Sequence, residues 1–314
     1  LESVVLFWID QGVRIFRVDN PHTKPFDFWE WLITDIKNRY PDVLFLAEAF
    51  TRPKVMYELA KLGFTQSYTY FSWRNAGKEL TEYFTELTQT GVREYFRPNL
   101  WPNTPDILTE FLQQGGRPAF MARLVLAATL GANYGIYGPA FELSENRPVR
   151  EGSEEYLDSE KYQVRHWDLD HPASLAEMIT RVNQARRENP ALHSDLSLRF
   201  HPVDNPQIIA YSKTSDDLLN IVVVVVNLDP HRTQTGMIDL PLDAFHLDAG
   251  QPYQMHDLLT DTKYVWRGPR NYVELNPQRL PAHIYSIWRR VRTGQAHDNL
   301  VFTPVHVIGE RVCA

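Results

Sequence analysis

The chain has 314 residues, of which 43% are hydrophobic and 23% are charged, and its formal net charge at pH 7 is −7. This length is enough to bury a sizeable core and indicates about two domains. The acidic balance argues against a nucleic-acid or anionic-membrane partner. The single cysteine, Cys313, allows no disulfide within the chain and no thiolate metal cage, which favours a reducing, cytoplasmic compartment.

The chain begins without an initiator methionine and inside a helical pattern. In the predicted helix 2–11, Val4, Val5 and Trp8 share one face with Leu1. This start predicts a piece of a longer protein. We find no signal peptide and no apolar run long enough to span a bilayer, since the longest run, 221–226, is typical of a buried strand.

Strand and helix patterns alternate through the first half of the sequence. Apolar periodicity predicts helices over 2–11, 26–39, 53–61, 75–89 and 118–130. Strands are predicted at 13–18, 43–47, near 66–70, and within 95–103 and 133–138. Five successive βα units indicate an α/β fold with parallel strands, as in a barrel or a large open sheet.

The pattern changes in the second half. Residues 143–172 form a long polar loop, which in a compact domain is often a functional lid, and a helix is predicted over 173–188. Strands then follow at 198–203, 207–213, 218–227, 235–240, 251–257, 263–266, 271–275 and 282–289. We therefore predict domains at 1–190 and 191–291, the second an antiparallel β-sandwich, and a tail over 292–314.

Three acidic residues follow the predicted strands. Asp19 ends the first strand, Glu48 follows "LFLA", and Asp106 lies in "WPNTPDIL". A single acid at such a position is most often a helix cap or a surface charge. Three within the units of one barrel indicate a site, because barrel enzymes place their chemistry at the carboxyl ends of the strands.

The neighbours of two of these acids predict different behaviour. Glu48 is flanked by apolar residues in "FLAEAF", and burial raises the pKa of a carboxyl group, which suits a general acid. Arg17 lies two residues before Asp19 and points the same way along the strand, so the carboxylate of Asp19 is expected to stay charged, as a nucleophile requires. Two carboxyl groups with divided roles are what glycosyl transfer needs.

Taken together, "GVRIFRVD" (12–19), "FLAEAF" (45–50) and "PNTPDI" (102–107) resemble three signature segments of the α-amylase superfamily, glycoside hydrolase family 13. Within it, "RVDNPHTKPFDFWEW", "AEAFTRPKVM", "FRPNLWPNTPDIL" and "ELSENRPVREGSEEYLDSEKYQ" resemble the maltosyltransferases that use maltose 1-phosphate to extend α-1,4-glucans. The resemblance runs from residue 1 to about 291. It implies the second half of a (β/α)8 TIM barrel followed by an all-β sandwich domain.

The resemblance also implies roles for individual residues. It makes Asp19 the nucleophile, Arg17 the group that orients it, Glu48 the general acid and base, and Asp106 the transition-state stabiliser. Substrate contacts are implied for Asn20, Lys161 and Tyr162. The implied partners are an α-maltose 1-phosphate donor, an α-1,4-glucan acceptor and phosphate as product, with no cofactor and a homodimer for the complete protein.

The sequence departs from the pattern of the family in two respects. Pro105 stands where most relatives carry a histidine before the third acid, which fits the maltosyltransferases better than an ordinary amylase. The first strands of the barrel are missing upstream of residue 1, so the chain alone is expected to be poorly stable and nearly inactive, because half a barrel has unpaired edges.

Three interpretations remain open. The first is a retaining maltosyltransferase, the second an α-amylase-type hydrolase with the same carboxylates, and the third a non-catalytic glucan-binding piece. No metal site is predicted, because His22, His166 and His171 lack the spacing of ligands. His22 and Lys24 lie in the loop after Asp19 and are equally consistent with contacts to phosphate or acceptor and with a surface pair.

Overall fold

The computed structural model describes residues 1–290 and 302–304. Within these residues the α-helices are α1 Glu2–Asp10, α2 Phe26–Arg39, α3 Pro53–Lys61, α4 Gly77–Gln89, α5 Glu110–Leu130, α6 Gly138–Glu142 and α7 Ala176–Glu188. The strands that alternate with them are β1 Ile15–Asp19, β2 Leu44–Glu48, β3 Gln66–Tyr68, β4 Pro98–Leu100 and β5 Asn133–Tyr134. None of the described helices has both the length and the apolar character needed to cross a membrane.

The five strands form one parallel sheet in the order β1-β2-β3-β4-β5. Their carboxyl ends therefore lie along the same edge, and the register pairs Asp19 directly with Glu48. In β1 the partly buried Phe16 and Val18 pack against the helical layer, whereas the alternating Arg17 and Asp19 are on the exposed side. The parallel α/β arrangement predicted from the sequence is confirmed.

The boundaries of several elements differ from the prediction. Helix α5 begins at Glu110, eight residues before the predicted start, because two helical segments meet at Gly116, whose φ of 53° and ψ of −149° interrupt the helix. The third strand ends at Tyr68, since Thr69 accepts a hydrogen bond from the backbone N–H of Phe71 and starts a 3-10 turn. Glycine and a short polar cap thus decide boundaries that apolar periodicity does not show.

The second half of the chain is an antiparallel β structure. Its strands are β6 Arg199–His201, β7 Ile208–Thr214, β8 Ile221–Asn227, β9 Gln234–Asp239, β10 Pro252–Asp257, β11 Lys263–Arg267, β12 Arg270–Leu275, β13 Ala282–Arg290 and β14 Phe302–Pro304. Six of them form a path in the order β11-β10-β13-β8-β7-β6, with β14 on β13, while β9 and β12 form a separate pair. All eight predicted strands are present, and β14 is an addition within the predicted tail.

The rest of the tail, including Cys313, lies outside the described residues. The two halves share a core in which α5 packs on α7 and against β8 and β13. At this junction the hydroxyl groups of Thr129 and Tyr211 lie 2.6 Å apart, and Arg181 donates to the carbonyl of Leu259 at 2.9 Å. These contacts join α5 and α7 to the β structure.

Candidate active site

Asp19 and Glu48 are the last residues of two neighbouring parallel strands. Arg17 lies between them: one guanidinium nitrogen is 3.1 Å from a Glu48 oxygen and another is 3.5 Å from an Asp19 oxygen. The side chain of Asp19 is 67% exposed, whereas that of Glu48 is 10% exposed. The arginine expected to orient the first acid is therefore shared by both.

The environment of Glu48 favours its protonated form. Burial raises the pKa of this carboxyl group, Arg17 partly offsets the rise, and the negative charge of Asp19 adds to it. The apolar neighbours in the sequence predict this desolvation. The geometry thus pairs an accessible carboxylate with a buried, more readily protonated carboxyl group.

Asn20 begins the loop that follows Asp19. Its φ of 44° places it in the left-handed region, and its backbone N–H donates to the carbonyl oxygen of Glu48 at 3.0 Å. The hydroxyl of Thr23 donates to the Asn20 carbonyl at 2.8 Å, which closes a short 3-10 turn. Within this turn the Nδ1 atom of His22 is buried without a hydrogen-bond partner, and Lys24 is exposed.

Asp106 lies beyond the end of β4 and is paired with the loop of residues 143–172, which we call the lid loop. The ammonium group of Lys161 forms an ion pair with the Asp106 carboxylate, and the Asp106 side chain is 43% exposed. Tyr162 is 74% exposed, and the Lys161 ammonium lies 5.7 Å from the centre of its ring. The structure therefore brings together two residues, Asp106 and Lys161, that are 55 positions apart in the sequence.

Hydrogen bonds hold the lid loop against the segments that follow β3 and β4. The N–H of Leu108 donates to the carbonyl of Glu154 at 2.7 Å, and the side-chain amide of Gln113 donates to the carbonyl of Ser153 at 2.8 Å. The indole N–H of Trp73 donates to the Glu154 carboxylate at 2.7 Å. Residues 153 and 154 of the lid loop are thus held against the segments that follow β3 and β4.

Aromatic residues that the sequence argument did not single out connect the two parts of the site. Burial raises the pKa of the Tyr68 hydroxyl, and Arg17, which lies beside it, partly offsets that rise. The Tyr68 ring is stacked on Trp101 with centres 5.1 Å apart. Among the described residues no ion pair joins Asp106 to Arg17, Asp19 or Glu48; the Tyr68–Trp101 stack spans the carboxyl ends of β3 and β4, and β3 in turn pairs with β2.

The sequence does signal these rings. Tyr68 ends β3 and Trp101 directly follows β4, and further aromatic residues lie two to five residues beyond a strand end, several of them in the segment "YTYFSW". The members of this aromatic cluster are Phe50, Tyr68, Tyr70, Trp73 and Trp101. Aromatic side chains at strand ends are candidate site residues, although most aromatic side chains in a globular protein belong to the core.

Gly135 is required for the position of Trp101. A Cβ atom at residue 135 would lie 2.3 to 2.6 Å from three atoms of the indole ring. We expect Gly135→Ala to displace the ring and lower the free energy of unfolding by about 1–3 kcal/mol, the usual cost of overpacking. Thermal and urea unfolding would measure this.

Gly91→Ala is the matched control for that variant. A Cβ atom at residue 91 would meet nothing within 4 Å, and the residue has no positive φ. Its stability should therefore stay the same or rise slightly. Equal stability of the two variants would contradict the close contact at Trp101.

The described residues contain no group of three or more His, Cys, Asp and Glu side chains placed to hold a metal ion. The groups that the structure places at these strand ends are carboxyl groups, an arginine, a lysine and aromatic rings. A buried and an exposed carboxyl group at paired strand ends are an arrangement that barrel enzymes acting on carbohydrates with two acids use.

Comparison with solved structures identifies the fold. The α-amylase from Geobacillus thermoleovorans complexed with acarbose has a TM-score of 0.66 at 15% identity, covering 94% of this chain and 64% of that chain. CldA, a cyclomaltodextrin glucanotransferase, has a TM-score of 0.69 at 12% identity, covering 93% and 59%. At these identities the likeness concerns the fold alone, and it confirms the predicted part-barrel followed by a β domain.

Sequence comparison shows which named enzymes the chain is similar to. Residues 200–287 match a family model described as GLGE, C-terminal. The alpha-1,4-glucan:maltose-1-phosphate maltosyltransferase of Chlorobaculum tepidum is 53% identical over 293 residues, covering 91% of this chain and 44% of that protein. The second such enzyme of Streptomyces coelicolor is 54% identical over 300 residues, covering 94% and 44%.

The chain spans less than half the length of these curated relatives. Over nine-tenths of its own length it is a homologue of the maltosyltransferases of the α-amylase superfamily, and the resemblance predicted from the motifs is confirmed.

Proposed function

We propose that this chain supplies Asp19, Glu48 and Asp106 to an enzyme that transfers a maltosyl unit from α-maltose 1-phosphate to the non-reducing end of an α-1,4-glucan. The observation that carries the proposal is the shared ion pairing of Asp19 and Glu48 with Arg17, in a chain more than 50% identical to named maltosyltransferases.

In the first step an Asp19 oxygen attacks the anomeric carbon and the bond from that carbon to the phosphate oxygen breaks. Glu48 donates its proton to the departing phosphate, and a β-maltosyl ester of Asp19 forms. The direct register of Asp19 and Glu48 supports this retaining chemistry, because adjacent strands lie about 4.8 Å apart and a retaining pair of carboxyl groups is close.

In the second step Glu48, now ionised, removes the proton from the 4-hydroxyl of the acceptor. The acceptor oxygen attacks the anomeric carbon, the ester bond breaks and Asp19 is released as a carboxylate. Phosphate and a glucan longer by two glucose units are the products. The reaction needs no redox change, and Asp106 and Asn20 contact the sugar while Lys161 and Tyr162 contact the sugar and phosphate of the donor.

The decisive assay compares two reactions of one protein. We suggest joining this chain to the N-terminal part of the Chlorobaculum tepidum relative, and we call the product the chimera. With maltose 1-phosphate and glycogen, the chimera should release phosphate and lengthen the glucan. Reducing sugar released from starch without phosphate release would instead indicate an amylase-type hydrolase, and glucan binding without either reaction would indicate a binding module.

We also propose that the isolated chain has little activity. β1 is an edge of the described parallel sheet, and its Ile15, Arg17 and Asp19 side chains are exposed. An edge strand of a parallel sheet leaves backbone groups unpaired beside the nucleophile. We further propose that the complete protein is a homodimer, which size-exclusion chromatography with light scattering would test. A cytoplasmic location is part of the same proposal.

A further inference from the structure

Two adjacent residues of the lid loop, Glu160 and Lys161, contact different parts of the structure. Lys161 reaches the Asp106 carboxylate, whereas the carboxylate of Glu160 accepts a hydrogen bond from the Tyr137 hydroxyl and another from the indole N–H of Trp167 at 3.0 Å. Glu160 therefore fixes the loop at the position next to Lys161.

Tyr137 is itself held from the other side. Its backbone N–H donates to the side-chain oxygen of Asn103 at 2.9 Å, and the Asn103 amide donates to the hydroxyl of Tyr156 at 2.8 Å. Asn103 is fully buried, and Tyr156 is 2% exposed. Asn103 precedes Asp106 by three residues, so the backbone of Tyr137 is tied to the same segment that carries Asp106.

The second donor to Glu160 is also supported. The Arg165 guanidinium lies 3.9 Å from the centre of the Trp167 ring and forms an ion pair with Glu145 at 3.0 Å. Arginine stacked on an indole ring is a favourable contact. The hydrogen bonds from Tyr137 and then Trp167 lower the pKa of Glu160, so this carboxylate accepts from both as an anion.

We propose that Tyr137 is a positioning residue, which sets the distance between Asp106 and Lys161 by binding Asn103 through its backbone and Glu160 through its hydroxyl. The inference rests on the proposed function, because it assigns Tyr137 an effect on donor binding through Lys161. It adds a residue on the β5–α6 connection to a site otherwise built from β1, β2, β4 and the lid loop.

The first test follows the loop itself in the chimera. Tyr137→Phe removes the hydroxyl and keeps the ring. We expect trypsin to cleave after Lys161 about fivefold faster, since the loop loses one charge-assisted hydrogen bond. Tyr134→Phe is the matched control, because it also loses one hydroxyl hydrogen bond, 2.6 Å to Asn183, but makes no contact with Glu160. Equal cleavage of Tyr137→Phe, Tyr134→Phe and the unchanged chimera would overturn the proposal.

The second test measures action through Lys161. We expect Tyr137→Phe to raise KM for maltose 1-phosphate about tenfold with kcat nearly unchanged, and to raise it less than about twofold when Lys161→Ala is already present. The same increase in both backgrounds would overturn the positioning role. If the unchanged chimera releases no phosphate, the proposed function fails, and the cleavage rates still decide whether Tyr137 holds the loop.

Discussion

Asp19→Asn should lower kcat for maltosyl transfer by the chimera by about 10⁴-fold or more, because removal of an enzyme's nucleophile costs about that much or more. The amide keeps the size of the side chain but cannot form the ester intermediate. A 2-fluoro-maltosyl donor with a good leaving group should label the unchanged chimera at Asp19, and peptide mass spectrometry would locate the label.

The structure offers a close control for this variant. Asp42 pairs with Arg14 at 3.0 Å near the opposite ends of the same two strands. Asp42→Asn should therefore retain nearly full activity, since an exposed ion pair is worth about 0–1 kcal/mol. A label on another residue, or an Asp19→Asn variant with near-normal turnover, would refute the assignment of the nucleophile.

Glu48→Gln should lower kcat by about 10²- to 10⁴-fold, the range that general acid–base catalysis contributes. Glutamine neither donates the proton to phosphate nor removes one from the acceptor. A maltosyl fluoride donor needs no proton to lose fluoride, so the variant should form the Asp19 ester from it and transfer the sugar slowly. Accumulation of the ester, measured by intact-mass spectrometry, separates the two steps.

The buried position of Glu48 also predicts how kcat/KM depends on pH. Because burial raises the pKa of Glu48, the protonated acid persists to higher pH than in a free glutamate, and it is lost as pH rises through that value. kcat/KM should therefore fall on the alkaline side, and this limb should be absent from the residual activity of Glu48→Gln.

Glu86→Gln serves as the control for Glu48. Glu86 accepts a hydrogen bond from Tyr57 at 2.7 Å on α4, away from the paired strand ends. It should keep both the activity and the alkaline limb. An unchanged pH profile in Glu48→Gln would show that another group titrates.

Arg17 connects the predictions for Asp19 and Glu48, because its side chain contacts both residues. Its guanidinium contacts both carboxyl groups, and it partly opposes the rise of the Glu48 pKa that burial causes. The motif "RVD" read alone pairs Arg17 with Asp19. The parallel register with β2 adds Glu48, at a shorter distance than Asp19.

Much of the fold is visible in the local sequence. The helix over 26–39 and the helix over 53–61 have the predicted bounds, and β8 is a continuous buried run, because these segments have strong apolar periodicity or uniform apolar character. β4 and β5 are only three and two residues long, and short strands carry little periodic signal. Their place in the sheet is set by neighbouring strands.

The sequence by itself determined the alternation of strands and helices, the three acids that follow strands and the family resemblance, because each of these is carried by short segments of the chain. Tertiary structure alone decided the contacts between distant segments: Lys161 on Asp106, Tyr68 on Trp101 beside Gly135, and Tyr137 between Asn103 and Glu160. Such pairings follow from how the sheet and the lid loop pack, and residues 55 positions apart carry no local pattern that would reveal them.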